Sequence, residues 1–387
     1  MIDIARIKKL LNNNGLDAWL FFNFQHQDKI TEVLLELSPE FHNTRPWYYI
    51  IPEKEPCMQI IHTIESSNND HNLPGQCLIY TKQAELIDIL KNLAGKYKKI
   101  AVQMSEFLPQ ISSLNAGTKI FLEKCGFSLF SSADLMTSLY SLTENQIQSH
   151  FRTAANLRKI IDKTFYWIKN NIAKTIYETD CQDFINMQFE KAGLITEHPQ
   201  LVACGPNSAN PHYIPNKSYK KQIKKNSIIQ FDIYAKEKNG IYADISWVGY
   251  TGKVIPEPYE RMFSLLKTSR DKTVIFISEY IKTGKLCGNS VDNFCRSIIE
   301  ENGWGDHFIH RTGHSIDQSL HGRGANIDGY EFNDIRSLKN NICFSIEPGI
   351  YFKDDYGMRT EINIVLRDHM AVVSGQPIQN EIMYFQD

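Results

Sequence analysis

Ile342-Cys343-Phe344-Ser345-Ile346-Glu347-Pro348-Gly349-Ile350-Tyr351 is a strand-like run. After a polar turn at 352–356 it is answered by Gly357-Met358-Arg359-Thr360-Glu361-Ile362-Asn363-Ile364-Val365-Leu366. Two apolar runs with a short polar connection predict an antiparallel hairpin. Pairing Tyr351 with Gly357 across the turn places Glu347 opposite Glu361. Opposed residues of such a pair carry Cβ atoms about 5 Å apart on one face, so two carboxylates would project together.

A similar plan recurs upstream. Ser227–Ala235 and Ile241–Gly249 are strand-like and are joined by Lys236-Glu237-Lys238-Asn239-Gly240. If that loop is the whole connection, Ala235 pairs with Ile241 and Asp232 faces Asp244, whereas a tight Asn239-Gly240 turn would spoil this pairing. Like charges directly opposite one another repel, yet these acids interrupt apolar runs such as Ile228-Ile229-Gln230-Phe231-Asp232-Ile233. Four clustered carboxylates stay ionised in a half-buried place only when cations compensate them. Two divalent ions would cancel the four charges. The alternative is that either pair is a surface contact facing solvent.

Between the hairpins lie His310-Arg311-Thr312-Gly313-His314 and His321, with His212 further upstream. An H-x-x-x-H pair needs a helix to bring both rings to one face, and Thr312-Gly313 argues against one. Gly313 allows a close backbone approach beside His314. Taken singly, each histidine reads as a hydrogen-bonded structural residue. Rival chemistries lack their signatures: H-E-x-x-H, G-x-S-x-G, G-x-x-x-x-G-K-[ST] and G-x-G-x-x-G are all missing. Cys204 near His212 has nothing further to mark it as a nucleophile.

The 387 residues exceed one ordinary core and predict two domains. A net charge of -2 without a long Lys/Arg tract favours neither nucleic acid nor a membrane surface, and the lysines of Lys217–Lys225 read as a solvated loop. Met1–Ile7 lacks the pattern of a signal peptide, and no apolar run approaches the length of a membrane span. Eight scattered cysteines with no C-x-x-C read as reduced thiols of a cytoplasmic protein.

Periodicity predicts a helix through Ile4, Ile7, Leu10 and Leu11, then strands at Ala18–Phe22, Trp47–Ile51, Met58–Ile61, Cys77–Tyr80 and Lys99–Val102. With helices at about 82–95 and 115–125, this is an α/β domain with a parallel or mixed sheet, residues 1–142. A capping box, Thr143-Glu144-Asn145-Gln146, opens a long helix through Leu157, Ile160, Ile161, Phe165 and Ile168 and begins the second domain, 143–387. A second box, Thr179-Asp180-Cys181-Gln182, predicts another helix, and two more are expected at about 257–282 and 290–302. Together with its strands, this half is α+β with a substantial antiparallel sheet.

In this order, Asp232 in Gln-Phe-Asp-Ile, Asp244 in Tyr-Ala-Asp-Ile-Ser, His314, Glu347 in Ser-Ile-Glu-Pro-Gly-Ile-Tyr and Glu361 in Met-Arg-Thr-Glu resemble the Asp, Asp, His, Glu, Glu series of the pita-bread metallopeptidases. That family includes methionine aminopeptidase, aminopeptidase P, prolidase and the metal-free creatinase. The Xaa-Pro branch is most similar, through His310 with His314, His321, His212, Tyr351, Arg359 and Asp334-Ile335-Arg336-Ser337-Leu338. The first domain resembles the creatinase-type N-terminal domain at Gly15-Leu16-Asp17-Ala18 and Asn115-Ala116-Gly117-Thr118.

The resemblance implies a pita-bread catalytic domain with flanking helices and an exopeptidase cleaving the N-terminal residue from Xaa-Pro peptides or dipeptides. It implies two divalent ions held by Asp232, Asp244, His314, Glu347 and Glu361, Mn²⁺ first, with Co²⁺, Zn²⁺ or Fe²⁺ as alternatives. Glu347 would move protons, His212 and His321 would orient substrate, His310 would line its site, and Arg359 and Tyr351 would support the ligands. A homodimer is implied too. An inactive binding protein on this fold and a creatinase-like C–N hydrolase are the competing readings. Arg336 stays open between a substrate carboxylate and a structural ion pair. Three departures stand out: a longer Asp-to-Asp interval, Thr360 and Asn363 around the last acid, and Asn340-Asn341 where Pro-Gly is usual. Asn can supply a left-handed residue there.

Overall fold

The computed structural model describes residues 3–38, 40–68 and 73–385, so Met1 and Ile2 of the N-terminal stretch lie outside it. The chain divides into two compact units, Met1–Leu139 and Tyr140–Asp387. No described helix is long and apolar enough to cross a membrane.

In the first unit α1 (Ile4–Asn13), β1 (Ala18–Asn23), α2 (Lys29–Leu34), β2 (Trp47–Pro52), β3 (Met58–His62) and β4 (Gln76–Tyr80) come first. They are followed by α3 (Gln83–Lys96), β5 (Lys99–Val102), α4 (Ala116–Cys125), β6 (Ser128–Ser131) and α5 (Ala133–Leu139). Among the described residues the strands form one mixed sheet in the order β4-β3-β2-β1-β5-β6. β1 is buried at every position, which fits the unbroken apolar run from Ala18 to Phe22.

The second unit opens with α6 (Glu144–Asn171), where the Thr143 N–H donates to Gln146 Oε1 at 2.9 Å, as the capping box requires. α7 (Glu178–Ala192) starts two residues earlier than the second box predicts. Asp180 accepts from the Tyr177 N–H at 2.9 Å, and the Glu178 N–H is tied to the Lys221 carbonyl at 2.9 Å, so the chain turns helical there. Next come β7 (Leu194–Ile195), β8 (Leu201–Cys204), β9 (Ile228–Glu237), β10 (Ala243–Tyr250), α8 (Glu257–Tyr280) and α9 (Gly288–Glu301). The unit ends with β11 (Ser315–Ile316), β12 (Cys343–Ile346), β13 (Gly349–Phe352), β14 (Tyr356–Arg359), β15 (Ile362–Arg367), β16 (Met370–Val373) and β17 (Met383–Tyr384).

Two strand pairs organise this unit. β9 and β10 turn Phe231, Ile233, Ala243 and Ile245 toward Leu157, Ile161 and Phe165 of α6. β12 and β15 turn Phe344, Ile346, Ile362 and Ile364 toward Ile277 of α8 and Val291 of α9. Each large apolar side chain so buried stabilises by about 1.5–3 kcal/mol, which settles the face each pair gives to its helices. Successive side chains alternate, so Asp232, Asp244 and Ser246 leave the opposite face, as do Ser345 and Asn363. Those faces meet. The Asp244 N–H donates to Asn363 Oδ1 at 2.8 Å, and the Glu361 N–H to the Ser246 carbonyl at 3.2 Å.

The downstream hairpin has the expected register: Tyr351 pairs with Gly357 and Ile346 with Ile362. Glu347 and Glu361 fall in the break between these two ladders. Pro348 has no N–H to continue the pairing, and the Glu347 N–H turns to the Thr312 carbonyl at 2.7 Å. Asn341 supplies the left-handed residue ahead of β12, at φ 61°.

The upstream hairpin is shifted by two residues. Ala235 pairs with Ala243, and Asp232 faces Ser246 rather than Asp244. The loop explains the shift. Asn239 at φ 66° and a 2.9 Å bond from the Gly240 N–H to the Glu237 carbonyl close the turn early, and the Tyr242 N–H leaves the ladder for the Asp317 carbonyl at 3.0 Å. A slip of two preserves facing. Asp232 and Asp244 therefore share one face, diagonal instead of opposed.

α6 is pinned to this turn by His150, whose Nδ1 donates to the Tyr242 carbonyl at 2.7 Å while Nε2 accepts from the Ser374 hydroxyl at 2.9 Å. Burial holds its pKa at about 4, down from 6.5. Between those values the unfolded chain binds a proton that the folded chain does not. Stability is therefore full above pH 6.5 and falls as pH drops toward 4, by about 3 kcal/mol from this group. His150→Gln is expected to remove that contribution: the stability difference between wild type and variant, from urea unfolding, shrinks with falling pH by about one proton's slope. A difference independent of pH would contradict this.

Candidate metal centre

The two strand pairs and the loop between α9 and β12 meet at a cavity of about 330 Å³. Its wall includes Asp232, Asp244, His314 and Glu347, surrounded by His212, His310, His321 and Arg359. Glu361 lies just behind: atoms of Asp244, His314 and Glu361 come within 4.8 Å of one another. His314 Nε2 is 3.4 Å from Asp244 Oδ2 and 3.6 Å from Glu347 Oε1. Tyr351 is outside the wall and reaches it through His310 Nε2, which accepts from the tyrosine hydroxyl at 3.0 Å.

Local backbone geometry aims His314. Its N–H donates to Ser345 Oγ at 2.9 Å and its Nδ1 to the Ser315 carbonyl at 3.0 Å. A carbonyl only accepts, so Nδ1 carries a proton, and Nε2 is the ring atom turned toward the carboxylates. A Cβ on Gly313 would lie 1.9 Å from the Ser345 carbonyl oxygen, so only glycine lets the His314 segment approach β12 this closely. Gly313→Ala is expected to push His314 out of line and weaken divalent-metal binding by about 10–100-fold, read by Mn²⁺ titration. Unchanged affinity would show that this approach does not matter.

α9 braces the same loop from behind. Asp292 accepts from the N–H groups of Thr312 at 2.8 Å and Gly329 at 3.0 Å. Arg296, one turn on, donates to the carbonyls of Phe308 and His310, both at 2.7 Å, and is sandwiched between the rings of Phe308 and Tyr330.

Charge is the unusual feature of the site. Arg359 Nη2 lies 2.6 Å from Asp232 Oδ2, and its Nε is 3.0 Å from Ser246 Oγ and 3.7 Å from Glu347 Oε2. The Ser246 hydroxyl also lies 2.9 Å from Asp232 Oδ1 and 3.0 Å from Glu361 Oε2. One guanidinium thus stands among four carboxylates. Burial, then the Asp232 charge, pushes Asp244 up to about 7; burial, then Asp244, pushes Glu361 well above the carboxylate range. Burial would raise Glu347 as well, but the charges of His314 and Arg359 hold it below its ordinary value.

Asp244 Oδ1 and Glu361 Oε1 are buried without a hydrogen-bond partner among the described residues. Leaving such an acceptor unsatisfied costs roughly 1–3 kcal/mol, more when charged. Oxygen donors with one imidazole suit a hard or borderline divalent cation, so the residues present fit the group that the carboxylates call for. Burial lowers His310 to about 4, and burial with the neighbouring His314 lowers His321 to about 4, so both rings are neutral at neutral pH.

Sequence reasoning passed over several groups here. Ser345 donates to Glu347 Oε1 at 3.0 Å, and Ser246 joins Asp232 to Glu361. Both sit two residues from an acid, so the strand period could have found them. Arg311, Glu331, Tyr234 and His198 also line the cavity; His198, in a loop, carries no periodic signal. Asn363 caps the Asp244 N–H, which accounts for one departure around the last acid. Arg336 is 2% exposed and pairs with Asp334 at 2.9 Å, the structural alternative of the two considered.

The model of metallopeptidase family M24 matches residues 151–368. The chain belongs to metallopeptidase family M24. This M24 chain is 31% identical over 175 residues to an Xaa-Pro dipeptidase of Lactobacillus delbrueckii subsp. lactis, covering 45% of this chain and 44% of that one. The match spans under half the relative's length. Solved structures resemble the M24 chain from end to end. A dipeptidase of Mycobacterium ulcerans has a TM-score of 0.68 at 16% identity, over 98% of this chain and 96% of that one. An X-Pro aminopeptidase of Thermotoga maritima has a TM-score of 0.57 at 19% identity, over 100% of both. At those identities the likeness is one of fold, and the fold is the pita-bread arrangement of helices and antiparallel sheet.

Proposed function

We propose that this M24 chain is a dinuclear-metal exopeptidase that removes the N-terminal residue from Xaa-Pro peptides or dipeptides. The observation that carries this reading is the convergence of four carboxylates and His314 Nε2 on one cavity, with Asp244 Oδ1 and Glu361 Oε1 buried and unpaired among the described residues. The substrate class is supported by the Xaa-Pro dipeptidase among the relatives. Asp232, Asp244, His314, Glu347 and Glu361 would hold the ions, with Mn²⁺ the first choice. Bound there, the ions would lower the pKa of a shared water and offset the charge that builds on attack.

The chain's own groups do the rest. Glu347 accepts the water's proton on its carboxylate and passes one to the leaving nitrogen. His212 and His321 orient the peptide and hydrogen-bond its carbonyl oxygen as that oxygen turns negative. Arg359 keeps Asp232 and Ser246 in place, and Tyr351 fixes the ring of His310 at the substrate side. Proline has no backbone N–H, so the scissile bond offers no amide donor for a site to grip. All eight cysteines are free thiols, which fits a reducing, cytoplasmic setting.

Release of glycine from Gly-Pro and from a longer Gly-Pro peptide, with and without added Mn²⁺, tests the reading. Metal-dependent release from either supports it. Metal-loaded protein that is inert on both contradicts it.

A further inference from the structure

The first unit has a cavity of its own, about 560 Å³, lined by residues that the exopeptidase reading does not use. β1, β3 and β4 run the same way, with β2 antiparallel between β1 and β3. Phe22, His62 and Tyr80 stand at or beside the carboxyl ends of those three strands, and all line the cavity. Ligands of open α/β sheets bind outside the carboxyl ends of the strands. The volume lies within the roughly 300–1,000 Å³ of small-molecule sites.

The wall is aromatic, with one cation. Phe22 lies opposite Tyr48, ring centroids 5.1 Å apart, and Phe121 of α4 joins them. The His62 ring is neutral, because Nε2 donates to the Thr81 carbonyl at 3.1 Å while Nδ1 accepts from the Ile64 N–H at 3.2 Å. Arg45 is the one charged side chain of the lining. Its Nη1 donates to the carbonyl and the hydroxyl of Thr44, both at 3.1 Å, and it has no ion pair among the described residues. Glu65, whose charge bears on Tyr80 as that of Arg45 does, is engaged by the Thr44 N–H at 2.7 Å and hydroxyl at 2.6 Å.

Tyr48 supplies a second, independent observation. It lines the cavity and is 2% exposed, yet its hydroxyl has no hydrogen-bond partner among the described residues. The hydroxyls of Tyr49 and Tyr80 do have one, the carbonyls of Pro74 and Pro46, each at 2.8 Å. Buried tyrosine hydroxyls usually find a partner, and the partner that Tyr48 lacks would come from the cavity. Burial pushes its phenol up, so it keeps its proton and can donate.

We propose that this cavity binds a small aromatic carboxylate, with its charge on Arg45, its ring against Phe22, Tyr80 and Phe121, and a polar atom on the Tyr48 hydroxyl. One guanidinium balances one negative charge, and its planar fork matches both oxygens of a carboxylate. Aromatic walls take a flat ring in offset or edge-on contact. All of the lining belongs to the first unit, whereas the metal centre belongs to the second.

Calorimetric titration of the full chain with indole-3-acetate, indole-3-ethanol and cyclohexylacetate tests the assignment. Indole-3-acetate is expected to bind about 10–100-fold more tightly than the neutral alcohol, the range of a charge-assisted contact, and more tightly than the non-aromatic acid. Arg45→Gln levels the acid with the alcohol. Tyr48→Phe weakens indole-3-acetate by about 2–10-fold and leaves the urea unfolding midpoint unchanged, since nothing in the folded chain holds that hydroxyl. No binding of indole-3-acetate to wild type at millimolar concentration overturns the proposal. So does binding that is unchanged in both variants, which would place the acid elsewhere on the chain, or equal binding of cyclohexylacetate. A lower unfolding midpoint in Tyr48→Phe overturns it as well, because the hydroxyl would then already have a partner.

Discussion

Glu347→Gln is expected to lower kcat on Gly-Pro by about 10²–10⁴-fold, the range of positioned acid–base groups. The substitution keeps the side chain's shape and its contact with Ser345, 3.0 Å from Oε1. An amide cannot take a proton from water at neutral pH, so the loss should fall on kcat even where metal is saturating. The neighbours of Glu347 support this role. His314 and Arg359 hold its carboxyl below the ordinary range against burial, so it stands ionised, as a base must. A kcat within tenfold of wild type at saturating Mn²⁺ would remove Glu347 from the chemistry.

Asp292→Ala is expected to destabilise the chain by about 3–5 kcal/mol, the usual result of breaking a buried ion pair from one side. Asp292 is fully buried, Arg296 is 7% exposed, and Arg296 Nη2 lies 3.2 Å from Asp292 Oδ1. Removing the carboxylate strands the guanidinium and frees the N–H groups of Thr312 and Gly329. The loop that carries His310 and His314 then loses its brace. Urea unfolding measures the loss. Replacing both ends, Asp292→Ala with Arg296→Met, should recover part of it, because the stranded charge goes as well. A single-variant loss under about 1 kcal/mol would mean that the pair does not brace the loop.

What was legible in the chain followed from local rules. Alternation and a short polar turn placed Tyr351 against Gly357, and the observed ladder agrees. Thr143 and Gln146 announced the start of α6 by their own side-chain chemistry. The upstream hairpin was only partly legible: Asn239-Gly240 marks a tight turn in the sequence, but Asp317 also draws the Tyr242 N–H out of the ladder, and nothing in 227–249 records that. Asp292 and Arg296 were illegible for a related reason. An acid and a base four apart on a helix look like an exposed pair, and only the packing of Phe308 and Tyr330 over the guanidinium reveals a buried one. In the site, the acids could be picked out because they interrupt apolar strands. Arg311 and His198 sit in irregular segments, where spacing carries no message, and their place on the wall appears only in three dimensions.

Asp232, Asp244, His314, Glu347 and Glu361 are proposed to hold a pair of divalent cations together. Metal content of the purified chain after equilibration with Mn²⁺ and removal of excess ion tests it most directly. Two ions per chain are expected in wild type and at least one fewer in Glu361→Gln. A chain that retains no ion, or one whose stoichiometry is untouched by Glu361→Gln, would contradict it.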